Sequence, residues 1–149
     1  MKLSLFPDVN VWLALTHSRH AHHRIAADWF QQSDEPMFFC RFTQIGLLRL
    51  LTNEQVMGVD VMNQRQAWQA YWHWFKDGRI EFHREPEAAE FELLFQEFST
   101  QPRPSTKLWA DAYLAAFAKV AGLEIVTFDQ AFQGIASLDV KVLSTREVV

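Results

Sequence analysis

The sequence predicts an α/β fold in which a central, mostly parallel sheet of about five strands is flanked by helices. Three observations predict it. Short apolar segments that suit buried strands alternate with longer segments of helical periodicity. The 149 residues are the usual length of one domain. The chain shows no internal repeat, low-complexity tract or linker, so residues 1–149 are expected to form a single domain.

The five predicted strands are short apolar runs bounded by polar or helix-breaking residues. They cover residues 1–6, 37–40, 79–83, 124–127 and 140–143. Asp8 follows the first strand and Asp129 follows the fourth. Open α/β sheets bind ligands at the edge formed by the carboxyl ends of their strands, so both aspartates are candidate site residues. The alternative for each is a turn former or a helix cap.

Periodicity and end signals predict six helices between these strands. They cover residues 9–15, 21–32, 42–51, 61–75, 86–98 and 106–121. Asp60 is expected to cap the fourth helix, Pro86 to occupy the first position of the fifth, and Gly122 to end the sixth. Because the segment 42–98 is rich in helix, we expect it to form an insertion or cap on the sheet.

The composition excludes several classes of protein. A single cysteine, Cys40, excludes an internal disulfide and a cysteine-built zinc site, and its apolar neighbours predict a buried thiol. No stretch approaches the ~20 apolar residues of a membrane span, and no signal pattern opens the chain, so a cytoplasmic protein is expected. The net charge of −4 argues against a passive RNA-binding module, but not against a nuclease whose cations offset an acidic site.

Asp111 is the exception in a predicted helix of small and apolar residues. It shares a helix face with Leu108, Ala115 and Ala118, and that face is expected to be buried. Burying a carboxylate costs several kcal/mol unless a partner or a metal compensates the charge. A metal ligand is therefore the favoured interpretation. Pairing with an arginine or capping of a neighbouring element is the alternative.

Three carboxylates, from Asp8, Asp111 and Asp129, are thus expected to meet at one edge of the sheet. A hard divalent cation relieves their repulsion, and Mg²⁺ takes one or two protein carboxylates while keeping waters and substrate phosphate as its other ligands. Such a site suits phosphodiester hydrolysis.

Three segments of the sequence, in order, resemble those that mark the PIN domain. Residues 6–12 resemble its opening, an apolar strand followed by Asp-x-Asn. Residues 111–116 resemble the helix that carries its third acidic position, and residues 127–132 are similar to its Thr-x-Asp-x-x-Phe strand exit. The stretch 40–53 resembles a subgroup of VapC toxins, the ribonuclease halves of bacterial type II toxin–antitoxin pairs. The resemblance covers essentially the whole chain.

This resemblance implies a PIN-like three-layer fold and an endoribonuclease that depends on Mg²⁺ or Mn²⁺ and cleaves structured RNA. A cation-activated water would attack the RNA phosphodiester. The resemblance also implies a cognate antitoxin that covers the site, and a toxin homodimer. The resemblance also implies that Asp8, Asp111 and Asp129 are the metal ligands in this sequence.

Two positions depart from the pattern of that family. Gln44 stands where most PIN domains have an acidic residue early in the helix after the second strand, and Ala131 stands where an acid is common. Glutamine offers a carbonyl oxygen but no charge, so Gln44 stays a candidate site residue that contacts the metal or holds a metal-bound water. The two losses favour one firmly held cation over two.

Other polar and aromatic residues are candidates for supporting roles. Asn10 is expected to orient Asp8 or a metal-bound water, with a role at the helix start as the alternative. Thr127 is expected to hydrogen-bond Asp129 or a phosphate. Arg41 and Arg49 are candidates for phosphate contact.

Two groups of residues have competing interpretations. The first group is a cluster of four histidines, His17, His20, His22 and His23. A zinc site is one interpretation, but a role at the helix start or in RNA contact is favoured. The helix over 61–75 carries a face that is expected to pack in the core, formed by Trp68, Tyr71, Trp72 and Phe75. Trp74 falls off that face, and part of this aromatic surface is expected to meet an antitoxin or a second subunit.

Two rival functions remain open at this stage. A haloacid-dehalogenase-like aspartyl phosphatase would use Asp8 as its nucleophile, but it needs a second aspartate where this chain has Asn10. A non-enzymatic α/β module would use its acids only to bind a cation, and would cleave no RNA.

Overall fold

A computed structural model describes residues 2–135 and 137–144 of the chain. Within them, five strands form one sheet in the order β3-β2-β1-β4-β5, and every pairing is parallel. The strands are β1 (Leu5–Pro7), β2 (Met37–Phe39), β3 (Ile80–Phe82), β4 (Glu124–Thr127) and β5 (Val140–Val142). The predicted α/β class is confirmed. The central position of β1 brings the ends of β1 and β4 side by side.

Helices cover both faces of the sheet. They are α1 (Val9–Thr16), α2 (His23–Gln32), α3 (Arg41–Leu51), α4 (Glu54–Met57), α5 (Gln64–Trp74), α6 (Ala89–Ser99) and α7 (Leu108–Ala121). Two short 3-10 helices, Gly58–Asp60 and Gln130–Gly134, complete the described elements. The segment beyond residue 144 lies outside the description.

Two hydrophobic clusters, one on each face of the sheet, produce the three layers. Successive side chains of a strand point to opposite faces, so Leu5 joins one cluster and Phe6 joins the other. The first cluster contains the buried residues of α1, α2, α3 and α5, and the second contains those of α6 and α7. Cys40 is buried in the second cluster, as expected for a structural thiol.

Three local predictions require correction. The fourth predicted helix begins at Gln64 instead of residue 61, because Asn63 caps it: Asn63 Oδ1 accepts from the Gln66 N–H, and Gln66 Oε1 accepts from the Asn63 N–H, both at 2.9 Å. Asp60 instead accepts from His17. The fifth helix begins at Ala89, so Pro86 precedes it.

The segment 42–98 is also not a cap on the sheet. It contributes β3 to the sheet edge, while α3 and α5 pack in one layer and α6 packs against α7 in the other. The stretch between the predicted helices over 42–51 and 61–75 contains the short helix α4 and a 3-10 turn. The end of α7 is as predicted, since Gly122 takes a left-handed conformation with φ 71°.

Candidate functional site

Asp8 lies at the carboxyl end of β1 and caps α1. Its Oδ1 accepts a hydrogen bond from the backbone N–H of Val11 at 3.0 Å, and its Oδ2 accepts one from the hydroxyl of Thr127. Only 8% of Asp8 is exposed. Burial raises the pKa of Asp8 to about 6 and the charge of Asp111 adds to the rise, although the hydrogen bonds oppose it. The helix cap therefore also holds a carboxylate whose charge is poorly compensated.

Thr127, the last residue of β4, connects two of the predicted aspartates. Its buried hydroxyl donates to Asp8 and accepts from the backbone N–H of Asp129 at 3.0 Å. Asp129 Oδ1 in turn accepts from the Ala131 N–H at 2.9 Å and caps the following 3-10 helix. The expected bond between Thr127 and Asp129 thus runs through the Asp129 main chain, and the parallel pairing of β1 with β4 adds the bond to Asp8.

Asp111 lies in the first turn of α7, with 19% of its side chain exposed. Burial raises the pKa of Asp111, and the charge of Asp129 contributes to the rise, while Lys107 lowers the pKa. Asp111 thus interacts electrostatically with Asp8 on one side and Asp129 on the other. The structure brings the three predicted carboxylates into one neighbourhood at the carboxyl edge of the sheet.

Lys107, which the sequence analysis did not single out, reaches into this neighbourhood. Its ammonium hydrogen-bonds Asp129 Oδ2 and lies 3.9 Å from Asp111 Oδ2. The bond to Asp129 is the main cause that raises the pKa of Lys107, and Asp111 and Asp8 act in the same direction. The same bond lowers the pKa of Asp129. The spacing of four residues between Lys107 and Asp111 in the predicted helix was the sequence signal for the contact of Lys107 with Asp111.

The carboxylates of Asp8, Asp111 and Asp129 are suitable ligands for a hard divalent cation, but their side chains are not arranged around a common metal position. In the part of the chain that is described, no three His, Cys, Asp or Glu side chains stand together as a ready ligand set. Asp8 is turned toward Val11 and Thr127, and Asp129 is held by Lys107. Carboxylate oxygens are the ligands that Mg²⁺ prefers, and a buried carboxylate such as Asp8 needs a positive partner to stay ionised.

Gln44 and Asn10 contribute differently from the prediction. Gln44 is buried in the first turns of α3, where its Oε1 accepts from the Arg41 guanidinium at 2.6 Å and its side chain hydrogen-bonds Tyr71. Gln44 therefore follows β2 at the same sheet edge, and none of its described bonds is to one of the three aspartates. The side chain of Asn10 is exposed, and its backbone N–H hydrogen-bonds Asp8 and lowers the pKa of that carboxyl.

The histidine cluster forms the connection that leads into α2. His22 is the N-cap of α2, and its N–H donates to His20 Nδ1 at 3.0 Å. His23 Nδ1 lies 2.7 Å from the carbonyl oxygen of Ala14, and His17 pairs with Asp60. His17, His20 and His23 thus each have a hydrogen-bond partner within the protein. These contacts support the structural interpretation over zinc.

The aromatic face of α5 is arranged differently from the prediction. Tyr71 is buried and Phe75 packs on the core, but Trp68 and Trp72 are exposed and stack on each other at 6.3 Å. Trp74, which was expected at an interface, packs against the core instead, and its indole N–H donates to Thr16 at 3.0 Å. The face of α5 that packs on the core is rotated relative to the predicted one, and it is formed by Ala67, Tyr71, Trp74 and Phe75. Its rotation brings Trp74 against Trp12 of α1 and Phe30 of α2.

The fold and the acidic sheet edge together define a class of protein. A family model described as the PIN domain matches residues 5–138. This chain belongs to the PIN-domain family. Among the residues described, no helix is long and apolar enough to cross a membrane.

Two relatives of the chain within that family are VapC ribonucleases. It is 40% identical over 146 residues to ribonuclease VapC41 of Mycobacterium tuberculosis, with 94% of this chain and 99% of that protein covered. Ribonuclease VapC29 of the same organism is 30% identical over 146 residues, which cover 95% of this chain and 96% of the relative.

Solved structures of VapC toxins share the fold. The M. tuberculosis toxin VapC20, described as cleaving the sarcin–ricin loop, aligns with a TM-score of 0.65 at 18% identity, covering 91% of this chain and 98% of that one. A chain of the VapBC2 complex from Rickettsia felis, bound to a promoter DNA fragment, aligns with a TM-score of 0.66 at 11% identity, covering 95% and 100%. These likenesses confirm the three-layer PIN fold.

Proposed function

We propose that this protein is the endoribonuclease toxin of a VapBC-type toxin–antitoxin pair, active in the cytoplasm. The observation that carries the proposal is the acidic centre on a PIN fold: Asp8, Asp111 and Asp129 act on one another at the carboxyl edge of the sheet. The 40% identity to a VapC ribonuclease along nearly the whole of both chains supports the same function.

The cofactor that suits this centre is Mg²⁺, with Mn²⁺ as its substitute. Asp8, Asp111 and Asp129 would hold it, because they supply the anionic oxygens that hard cations prefer. A bound divalent cation supplies an oriented water and stabilises negative charge on the attacked phosphate. In the hydrolysis, a water oxygen bonds to phosphorus, the bond from phosphorus to the leaving oxygen breaks, and a proton from the water ends on the leaving oxygen.

The surrounding residues prepare the carboxylates for this role. Thr127 and the Val11 N–H fix the rotamer of Asp8. They also lower its pKa against the effect of burial, so that Asp8 is ionised at neutral pH. The Asn10 backbone N–H acts in the same direction, and Gln44 aligns the Arg41 guanidinium beside this edge. The exposed Arg41 guanidinium would there contact a phosphate of a bound RNA.

Two protein partners follow from the same assignment. The cognate antitoxin would cover the acidic edge, and its cationic side chains would be attracted by the carboxylates. A second copy of the toxin is proposed to pack on the exposed tryptophans of α5. Trp68 and Trp72 line a surface cavity of about 730 Å³ together with Arg65, Gln69, His73 and Lys76.

Induced expression of the wild type and of Asp8→Ala, with mapping of cellular RNA ends, tests the function. The wild type is expected to produce new RNA ends at defined positions and to arrest growth, and Asp8→Ala to do neither. Asp28→Asn, which changes an exposed acid on α2, is the matched control and should behave as the wild type. New RNA ends produced by Asp8→Ala would refute the proposed centre.

The rival functions predict other results. The phosphatase loses its basis because the chain belongs to the PIN family, and Asn10 stands where the phosphatase needs a second aspartate. A module that only binds a cation would leave RNA ends unchanged and cells viable in the same experiment.

A further inference from the structure

We propose that the ammonium group of Lys107 acts as the second positive charge of the catalytic centre, so that this nuclease works with one metal ion and one lysine. Two-metal nucleases place two cations on either side of the attacked phosphate. Here the lysine would take the role of one of them. The inference rests on the proposed function, and it adds a catalytic residue that contacts the RNA phosphate.

The position of the Lys107 ammonium is the first argument. It hydrogen-bonds Asp129, lies 3.9 Å from Asp111 Oδ2 and is influenced electrostatically by Asp8. Over the ranges 2–135 and 137–144, no other lysine or arginine forms an ion pair with any of these three aspartates. Lys107 thus interacts with all three aspartates of the acidic centre.

The charge of the centre is the second argument. Three ionised aspartates carry −3 and Lys107 carries +1, which leaves −2 for one divalent cation to neutralise. As long as Lys107 keeps its charge in the centre, a second divalent cation would need further acids. The positions where PIN domains commonly supply them hold Gln44 and Ala131, and Gln44 is already bonded to Arg41 and Tyr71.

The hydrogen bonds divide the three carboxylates between the two charges. Asp129 gives one oxygen to the Ala131 N–H and the other to Lys107. Asp111 has no partner within the described residues closer than Lys107 at 3.9 Å, and the Asp8 oxygens keep lone pairs beyond the bonds from Val11 and Thr127. Asp8 and Asp111 are thus available to the metal, and Asp129 is shared, because it anchors the lysine and keeps one lone pair on each oxygen for the metal.

The exposure of Lys107 gives it access to the substrate. The residue directly precedes α7, and 67% of its side chain is accessible to solvent. An ammonium has three N–H donors. Asp129 uses one of them, so the others can donate to an RNA phosphate oxygen that approaches from the solvent side. In that position the lysine stabilises the charge that develops during phosphodiester cleavage.

Calorimetric titration of the metal-depleted protein with Mn²⁺, followed by RNA cleavage assays, tests this role. The variants are Lys107→Met and the control Lys119→Met, which removes a charge from the same helix where Lys119 bonds the Ser137 carbonyl. We expect the wild type and the control to bind one Mn²⁺ each. Lys107→Met is expected to bind a second Mn²⁺ at the vacated position.

Cleavage in Mg²⁺ is expected to fall about 100-fold in Lys107→Met. Millimolar Mn²⁺ should restore part of it, because the second ion replaces the lost charge. A Lys107→Met protein that binds one Mn²⁺ and cleaves at the wild-type rate overturns the inference, as does a wild type that binds two. A wild type that binds no Mn²⁺ refutes the proposed metal centre itself, so the two failures are distinguishable. Circular dichroism verifies that each variant is folded.

Discussion

At the scale of single residues, Asp8 combines two functions that oppose each other. As the cap of α1 it stabilises the helix through the Val11 N–H, and as a buried carboxylate it resists ionisation. The bond from Thr127 relieves only part of that resistance. The metal-free protein therefore contains a group that destabilises it at neutral pH.

Replacing Asp8 with asparagine is expected to stabilise the metal-free protein. The pKa of Asp8 rises from 3.8 in the unfolded chain to about 6 in the fold, so wild-type stability is lost as the pH rises through 6. Asparagine keeps the cap and carries no charge. Urea unfolding in a chelator should show Asp8→Asn about 1–3 kcal/mol more stable at pH 7.5, with little gain at pH 4. An equal gain at both pH values would contradict this cause.

Replacing Thr127 with valine is expected to destabilise the protein and impair cleavage. Valine has nearly the same shape but leaves Asp8 Oδ2 and the Asp129 N–H without their partner in a buried place. Such a loss costs about 1–3 kcal/mol. Thermal unfolding and cleavage rates measure the two effects. Thr106→Val, at an exposed position, is the control and should change neither.

At the scale of elements, α1 and α3 are in close contact where Gly46 faces Val9. A Cβ at Gly46 would lie 2.6 Å from Val9 Cγ2, so only glycine fits there without movement. The contact sets the distance between the two helices whose first turns lie at the acidic edge. A sequence pattern does not reveal it, because the glycine lies within a helix of ordinary periodicity.

Gly46→Ala is therefore expected to lower the free energy of unfolding by about 1–3 kcal/mol, despite the better helix propensity of alanine. The double variant Gly46→Ala with Val9→Ala should recover part of the loss, because the clashing methyl groups are gone. Gly78→Ala, where a Cβ meets open space, is the control. Denaturant titration of the four proteins gives the answer, and a stabilised Gly46→Ala would be inconsistent with the contact.

Arg79 joins α2 to the start of β3. Its guanidinium donates to the carbonyl oxygens of Phe30 and Ser33, lies 4.2 Å from the Phe30 ring centre and pairs with Asp77 at 2.7 Å. This pairing lowers the pKa of Asp77 to about 2. The connection between a helix end and an edge strand is thus held by one charged side chain.

Asp77→Asn is expected to cost about 1 kcal/mol at pH 7. A carboxyl whose pKa is lowered by folding contributes stability above its unfolded value near 3.8, and the contribution is lost as the pH falls through about 2. The difference between Asp77→Asn and the wild type should therefore shrink from pH 5 to pH 2. Chemical unfolding at several pH values measures it, and a constant difference would exclude the ion pair as its cause.

At the scale of the whole molecule, the exposed tryptophans of α5 are the surface proposed to pair two copies. Trp72 is 56% exposed and stacks on Trp68. Light scattering should find a wild-type dimer and a shift towards monomer in Trp72→Glu. Trp109→Glu, at a tryptophan 61% exposed on α7, is the control and should leave the dimer intact. If the two variants behaved alike, the dimer would not use α5.

Much of this architecture is predictable because its signals are local. Asp8 and Asp129 are recognisable because each follows an apolar strand. Asp111 is recognisable because it is the single carboxylate on an alanine-rich helix. The strand order, the packing of Trp74 and the reach of Lys107 depend on which distant elements become neighbours. Local periodicity carries no information about those distances, so these features needed the three-dimensional structure.

The hydroxyl of Thr127 bridges residues that are 119 positions apart in the chain. The centre that it completes also needs Asp129, which follows the end of β4. A nascent chain that lacks β4 thus has neither the bridge nor the last carboxylate. A chain whose synthesis has stopped short of residue 127 therefore cannot form the proposed catalytic centre, and any nuclease activity has to wait until β4 has paired with β1.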